Sequence, residues 1–367
     1  MKKLLPRILD LAVEIQQIPA PTFHEKERAD FIRNLFETEN LSDVATDPVG
    51  NIYACLRGGE HPPLILSAHT DTVFPFSTDL TATRTPDKIH APGLGDNSLA
   101  IAGLFGLLWD LRAQNNTLPG DLWFVANTGE EGLGDLIGMR AVVERFGREP
   151  LAYIVLEGMA LGKIYHRALG VRRYRITART QGGHSWAHYG RPSAIHALAA
   201  LITHLAQLKL PEKPRTTLNV GVIQGGTSVN TIAPEASLDL DLRSEDPQAL
   251  ETLIEQVQAL MEQANHPGQI QFNTEPTGNR PAGEIPPDHP LVKLAIDCLT
   301  AQEVQSQLSI GSTDANVPLS QGLPAVCIGL TTGGGAHTAE EYIDIPPLEK
   351  GLAQLVMLVN RSFQELS

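Results

Sequence analysis

Apolar residues recur along the chain at two different periods. At helical spacing they predict helices over residues 4–18, 24–39, 98–111, 135–146, 193–208, 247–263, 291–299 and from about 347 onward. Short apolar or alternating runs predict strands at 51–56, 64–68, 121–125, 153–156, 171–180, 218–223, 236–243, 269–273 and 325–329. Strands that alternate with helices favour an α/β fold with a mixed sheet covered by helices on both faces.

The pattern changes in the middle of the chain. After Gly170 the predicted order is β-α-β-β-α-β, which describes one sheet and two helices, and the mixed α/β pattern returns after Pro276. A chain of 367 residues also exceeds what one ordinary core accommodates. We therefore predict an α/β domain made of residues 1–168 and 277–367, interrupted by a smaller α+β domain over residues 169–276.

Composition narrows the classes of partner. The formal net charge is −14 and no segment is rich in Lys or Arg, which argues against a nucleic-acid partner or an anionic membrane surface. The first residues begin like a signal peptide, but Pro6, Arg7 and Asp10 interrupt any apolar region, and no apolar run reaches transmembrane length. We expect a cytoplasmic protein. The cysteines are odd in number, far apart and without CxxC spacing, which favours neither disulfides nor a thiolate zinc site.

A pair of carboxylates, Glu130 and Glu131, follows the predicted strand 121–125. Open α/β sheets place their ligands at the carboxyl ends of strands. Adjacent side chains of an extended segment diverge, so one of the pair could bind a cation while the other takes a proton from water. A solvated acidic turn would explain an isolated pair equally simply.

Other candidate ligands also stand at strand ends or helix starts. His69 and Asp71 close the strand 64–68 on one face, a spacing that suits a metal-bound imidazole supported by a carboxylate, although a loop without metal would explain it too. Asp96 precedes the helix 98–111, where it could cap the helix or bridge two cations. Glu157 ends the strand 153–156, and His337 lies in a glycine-rich loop after strand 325–329.

These residues form an ordered set. They provide two histidines and three carboxylates as ligands, with one carboxylate left over as a base. Nitrogen and oxygen ligands of this kind suit two zinc ions or similar first-row metals.

The motifs that carry these residues resemble those of the M-twenty (M20) metallopeptidase family. The matching segments are S-A-H-T-D-T-V, G-x-G-D-N, N-T-G-E-E-G, L-E-G, G-G-H-S, G-G-T-S-V-N, D-L-D-L-R, G-S-T-D-A-N and G-G-A-H-T-A-E-E. The family includes peptidase T, aminoacylase, glutamate carboxypeptidase, acetylornithine deacetylase and succinyl-diaminopimelate desuccinylase. The resemblance implies a two-zinc catalytic domain interrupted by a lid or dimerisation domain.

The resemblance also implies roles for the candidate residues. His69 and Glu157 would bind one zinc, Glu131 and His337 the second, and Asp96 would bridge the two. Asp71 would orient His69, and Glu130 would be the general base for a zinc-activated water. Cobalt or manganese could replace zinc.

Substrate contacts are implied at further positions. His184 resembles a lid-domain histidine that, in dimeric relatives, reaches the partner subunit's site, and a purely structural histidine is the alternative. Asn230 and Arg280 resemble contacts to the oxyanion or to the substrate carboxylate, and a surface arginine beside Pro281 is nearly as good an explanation for the latter.

The segment 311–316 resembles a site loop before a helix. Ser312, Thr313 and Asn316 could contact substrate there, although helix capping by Ser312 or Thr313 explains them too.

The function predicted from these features is metal-dependent hydrolysis of an amide bond in short peptides, as an exopeptidase. The alternative is an N-acyl-amino-acid deacylase of the acetylornithine deacetylase or desuccinylase type. A remote alternative is a non-catalytic binding protein on the same fold. We expect a homodimer formed through the lid domain.

Overall fold

The computed structural model of the protein describes residues 2–266 and 268–366. Its helices are α1 (Leu5–Gln16), α2 (Lys26–Thr38), α3 (Leu99–Ala113), α4 (Ile137–Phe146), α5 (Ala194–Ala206), α6 (Pro247–Ala264), α7 (Pro290–Ala301), α8 (Asn316–Ser320) and α9 (Leu348–Glu365). Within these described ranges, no helix is long and apolar enough to cross a membrane.

The strands are β1 (Ser42–Thr46), β2 (Ile52–Leu56), β3 (His61–His69), β4 (Thr83–Arg84), β5 (Lys88–His90), β6 (Gly120–Asn127), β7 (Ala152–Glu157), β8 (Lys163–Ala168), β9 (Gly170–Thr180), β10 (Gly183–His184), β11 (Thr216–Gly225), β12 (Thr231–Ile232), β13 (Glu235–Ser244), β14 (Ile270–Arg280), β15 (Gly283–Glu284), β16 (Gln307–Gly311), β17 (Ala325–Gly329), β18 (Gly333–Gly334) and β19 (Tyr342–Asp344). Every helix and strand predicted from the pattern has a counterpart here, shifted by a few residues at its ends. The predicted α/β class, with a mixed sheet and covering helices, is confirmed.

The chain divides into two compact units, one of residues 1–168 and 284–367 and one of residues 169–283. The first division coincides with the predicted boundary. The second lies seven residues beyond the predicted one, because the strand that begins at Ile270 continues past Pro276 to Arg280.

The larger unit is organised around a nine-stranded mixed sheet, in which β1-β2-β6-β3-β7-β17-β8-β15 is the path and β16 pairs with β8. The four central strands β6, β3, β7 and β17 are mutually parallel. Helix α3 is buried on all sides from Leu99 to Leu111, and apart from Asp110 this stretch of its sequence is apolar. Because β6, β3, β7 and β17 run in the same direction, their carboxyl ends lie at one common edge of the sheet.

The smaller unit has its own core beneath a four-stranded antiparallel sheet in the order β11-β13-β9-β14. Helices α5 and α6 supply buried residues such as Leu198, Leu201 and Val257 to that core. A separate two-stranded pairing of β10 with β12 carries His184 at its end.

Candidate metal centre

The ends of the four parallel strands deliver most of the predicted ligands. Strand β3 ends at His69, and strand β7 ends at Glu157. Strand β6 is followed directly by the turn that contains Glu130 and Glu131, and β17 leads into the loop that contains His337. The remaining residue, Asp96, lies in the turn Leu94–Ser98 that precedes α3.

Asp96 lies between the two histidines. Its Oδ1 is 3.1 Å from Nε2 of His69, and its Oδ2 is 3.2 Å from Nε2 of His337. Glu131 Oε1 lies 3.0 Å from the same nitrogen of His337, and Glu157 Oε2 lies 3.8 Å from that of His69. The five side chains thus form two groups that share one carboxylate.

These separations fit a metal site. A tetrahedral zinc with bonds of about 2.0–2.2 Å holds its ligand atoms roughly 3.3–3.6 Å apart. One ligand atom from each of His69, Asp96 and Glu131 can be chosen so that all lie within 4.8 Å of one another. This triad takes His69 from one group, Glu131 from the other and the shared Asp96, so the cluster has the ligand types and spacing of a candidate metal site.

The protonation of the cluster follows from its geometry. Hydrogen bonds to Asp96 and Glu131 raise the pKa of His337 to about 10. Burial alone would raise the pKa of Asp96 and lower that of His69, because it disfavours the charged form of each group. Their contacts with each other and with neighbouring charged groups outweigh burial, so the pKa of Asp96 is lowered and that of His69 is raised. Burial raises the pKa of Glu157 well above its usual value, and His69 offsets only part of that rise.

Asp71 has more partners than the predicted one. Nδ1 of His69 is 3.1 Å from the backbone oxygen of Asp71 and 3.5 Å from its carboxylate. That carboxylate also accepts the backbone N–H groups of Glu130 and Glu131, at 3.0 and 2.9 Å, and the hydroxyl of Thr22 at 2.9 Å. Asp71 therefore fixes the turn that carries the two glutamates as well as the histidine ring.

Two buried polar residues of the site were not singled out from the sequence. The side-chain amide of Asn97 donates to the backbone oxygen of Leu156 at 2.9 Å and accepts the N–H of Gly158 at 2.8 Å, so it holds both sides of Glu157. Asp314 is fully buried and accepts the side-chain amide of Asn127 at 2.6 Å, and its charge is one of those that raise the pKa of Glu157. Asp314 stands inside the quoted G-S-T-D-A-N segment, which was the available signal.

The loop around Asp314 has largely internal contacts. Asn316 is fully buried, and its side-chain oxygen accepts the N–H of Thr313 at 2.9 Å. The hydroxyl of Thr313 accepts the N–H of Ala315 at 3.2 Å. These contacts lie within the loop. The N-cap of α8 is Ala315 and has no side-chain capping hydrogen bond, so neither Ser312 nor Thr313 caps this helix, and Ser312 lies half-buried beside them.

Three predicted residues belong to the smaller unit: His184, Asn230 and Arg280. The first two are neighbours, since the N–H of Ser185 donates to the backbone oxygen of Asn230 at 2.9 Å. Nδ1 of His184 accepts the backbone N–H of Trp186 at 3.2 Å, and Oδ1 of Asn230 accepts the hydroxyl of Ser228 at 2.9 Å. The neutral His184 ring therefore carries its proton on Nε2, and both exposed side chains present N–H donors. Arg280 is buried at the end of β14.

Sequence comparisons identify a family and several relatives of this chain. A model of the family described as "Peptidase family M20/M25/M40" matches residues 65–361. A Schizosaccharomyces pombe protein named as containing a peptidase M20 domain is 27% identical over 69% of this chain and 65% of its own length. The acetylornithine deacetylase of Proteus mirabilis is 28% identical over 83% of this chain and 81% of its own.

Structure comparison gives the same fold. The crystal structure of a tripeptidase from Staphylococcus aureus subsp. aureus Mu50 superposes with a TM-score of 0.83 at 22% identity, covering 98% of this chain and 99% of that one. The family model spans most of the sequence, including every strand end that carries a candidate ligand. The chain therefore belongs to peptidase family M20/M25/M40 and is an enzyme of this hydrolase family.

Proposed function

We propose that the protein hydrolyses an amide bond in short peptides as a two-zinc exopeptidase, with Glu130 as the general base. The observation that carries the proposal is the position of Asp96, whose two carboxylate oxygens each face a different imidazole, His69 and His337. A carboxylate shared in this way is what two adjacent cations require. Bound metal ions would polarise the substrate carbonyl and acidify a water molecule.

The residues around the metal ligands have distinct roles in this proposal. Glu130 is buried next to Glu131, and Asp71 accepts its backbone N–H, which fixes the turn that carries it. In the proposed role its carboxylate takes a proton from the attacking water and passes it to the leaving amine. His184, with its proton on Nε2, acts as a donor to the developing oxyanion. Asn230 and Arg280 are proposed to contact the substrate carboxylate and the oxyanion, and Ser312, Thr313 and Asn316 are proposed substrate contacts.

A second candidate is hydrolysis of N-acyl amino acids. It is favoured by the similarity to acetylornithine deacetylase over most of both chains. The exopeptidase hypothesis is favoured by the similarity in fold to the tripeptidase. The two reactions need the same metal chemistry and the same base, and differ in whether the substrate carries a free or an acylated amino group.

The test is amine release by zinc-loaded protein from matched free dipeptides, tripeptides and N-acyl amino acids. Cleavage of free peptides alone supports the exopeptidase, and cleavage of N-acyl amino acids alone moves the protein to the deacylases. In the same assay, Glu130→Ala is expected to lower kcat by about 10²–10⁴-fold while binding both metals normally. Glu144→Ala, on the exposed side of α4, is the matched control. Wild-type turnover in Glu130→Ala would remove Glu130 from the mechanism.

A homodimer formed through the smaller unit is also part of the proposal. Strand β11 lies at one end of the strand order in its sheet, so one side of its backbone faces away from β13. The second half of β11, residues 221–225, is exposed and includes two apolar side chains, Val222 and Ile223, which are 43% and 53% exposed. An edge strand of this kind can pair with the same strand of a second copy about a two-fold axis.

A further inference from the structure

Glu341 is a fully buried glutamate in the same loop as His337. Its Oε2 accepts the backbone N–H of Gly93 at 2.9 Å. Its Oε1 accepts the N–H groups of Gly95 and Asp96, at 2.7 and 3.0 Å. One carboxylate thus accepts three backbone N–H groups from the turn before α3, and one of them is the N–H of Asp96, the carboxylate shared by the two groups.

The two segments that Glu341 joins are about 245 residues apart in the chain. Strand β19 pairs with β5 antiparallel, with Tyr342 opposite His90 and Ile343 opposite Ile89. The N–H of Ala91 then donates to the backbone oxygen of Glu341 at 3.0 Å. The His337 loop is therefore fastened to the Asp96 turn by a strand pairing at its base and by a buried carboxylate above it.

The chemistry of this contact is specific for glutamate. Three N–H donors need a group that accepts on both oxygens, and a charged acceptor forms stronger hydrogen bonds than a neutral one. A glutamine would place an NH₂ group against the N–H of Gly93 or against those of Gly95 and Asp96, so at least one donor would lose its acceptor. Water cannot easily replace it, because the site is buried.

We propose that Glu341 is a positioning residue that sets the place of Asp96 relative to His337, and so controls the affinity of both metal sites. The inference rests on the proposed metal centre. Because the two oxygens of Asp96 face His69 and His337, a displaced Asp96 turn weakens both sites together. A residue that served only the stability of the fold would change the unfolding temperature and leave the metal affinities alone.

The neighbouring residue offers a matched control. Glu340 precedes Glu341 in the same loop but is exposed. Glu341→Gln and Glu340→Gln therefore make the same carboxyl-to-amide change at adjacent positions, and differ in whether the three backbone donors lose their acceptor.

The experiment is titration of metal-free wild type and both variants with Zn²⁺ against a competing chelator, with Co²⁺ absorption as a second readout of ligand geometry. We expect Glu341→Gln to bind two ions per chain, each about 10–100-fold more weakly than wild type, with an altered Co²⁺ spectrum. Glu340→Gln is expected to match wild type. Wild-type affinity at both sites of a folded Glu341→Gln variant would overturn the inference.

Two further outcomes are separable. If wild-type protein itself fails to bind two ions, the proposed metal centre fails and the inference fails with it, whereas wild-type affinity in Glu341→Gln removes only the inference. If Glu341→Gln does not fold, Glu341→Asp decides the question, because it keeps the charge but is one methylene too short to reach all three donors. Weakened binding at both sites of Glu341→Asp supports the inference, and wild-type binding overturns it.

Discussion

Three carboxylates at the candidate centre each contact more than one partner. A small number of residues can therefore hold the whole centre in place. Asp96 faces two histidines, Asp71 binds one histidine and two backbone N–H groups, and Glu341 binds three. In each case one side chain fixes the relative position of segments far apart in the chain. Changes at these residues should therefore affect several ligands at once.

The charge on His337 gives a pH dependence to the metal-free protein. Its pKa is about 10 in the folded protein because of Asp96 and Glu131, and near 6.5 in an unfolded chain. A raised folded pKa contributes stability that is fully present below about pH 6.5 and is lost as the pH rises toward 10. We expect the thermal midpoint of EDTA-treated wild type to exceed that of His337→Gln most below pH 6.5.

This difference in midpoint should close as the pH approaches 10. The measurement is the thermal midpoint of both proteins across pH 6 to 10, followed by circular dichroism. The side chain of His337 is 52% exposed, so solvent screening keeps the effect small. A difference that grows with rising pH would contradict the assigned direction.

The residues that the structure brings together at the strand ends are also the ones most visible in the sequence. A carboxylate or histidine at the end of an apolar strand, or a few residues after it, is visible locally, and this is true of His69, Glu130, Glu131 and Glu157. The supporting contacts are not visible in this way. Asn97 and Glu341 act on backbone groups 59 to 248 positions away, and such contacts leave no periodic pattern in the sequence.

At the level of the elements, β14 explains the displaced unit boundary. Proline cannot donate to a strand ladder and usually marks the end of a strand, so the sequence pattern placed the end near Pro276. The strand instead continues through an irregularity in register between Pro276 and Gly278. Because β14 is the outermost strand of its sheet, the missing N–H of Pro276 is tolerated there.

The sequence pattern did not predict strand β8. Its sequence, K-I-Y-H-R-A, looks polar, yet Ile164, His166 and Ala168 alternate as buried residues. Nδ1 of His166 is 2.7 Å from the backbone oxygen of Ile285, which satisfies the buried ring. Six residues with one buried histidine are too few for periodicity to identify.

Helix α9 packs closely against the segment that leads from β17 to the His337 loop. A Cβ added to Gly351 would lie 1.8 Å from the backbone oxygen of Leu330. Gly→Ala inside a helix normally stabilises by up to about 1 kcal/mol. Here the clash with a backbone atom reverses the sign, and we expect Gly351→Ala to destabilise the protein by about 1–3 kcal/mol.

Urea unfolding of Gly351→Ala measures this change, with Lys350→Ala as the control. Lys350 is the preceding, exposed residue of the same helix, and its substitution is expected to stay within about ±0.5 kcal/mol of wild type. Stabilisation by Gly351→Ala would mean that α9 can move away from Leu330 at little cost.

At the scale of the whole molecule, the proposed dimer predicts a mass of about twice the 39.7 kDa of the chain. Ile223→Lys places a charge on the exposed half of β11, where a two-fold axis would bring it close to its own copy, so we expect it to produce monomers. Light scattering after size-exclusion chromatography measures the mass of the wild type and of Ile223→Lys.

The control for this prediction is Phe76→Lys, which changes an apolar residue of the larger unit that is even more exposed than Ile223. It should leave the mass unchanged. A monomeric wild type, or a dimer that survives Ile223→Lys, would exclude β11 as the interface.

The order of strands in the large sheet has a consequence for synthesis on the ribosome. Strand β17 lies between β7 and β8, yet it follows both of them, and the whole smaller unit, in the chain. A nascent chain therefore exposes the edge of β7 until nearly all of the protein has been translated, while the smaller unit can already be complete. His337 emerges after β17, so Asp96 can contact both of its histidine neighbours, His69 and His337, only after β17 has been made.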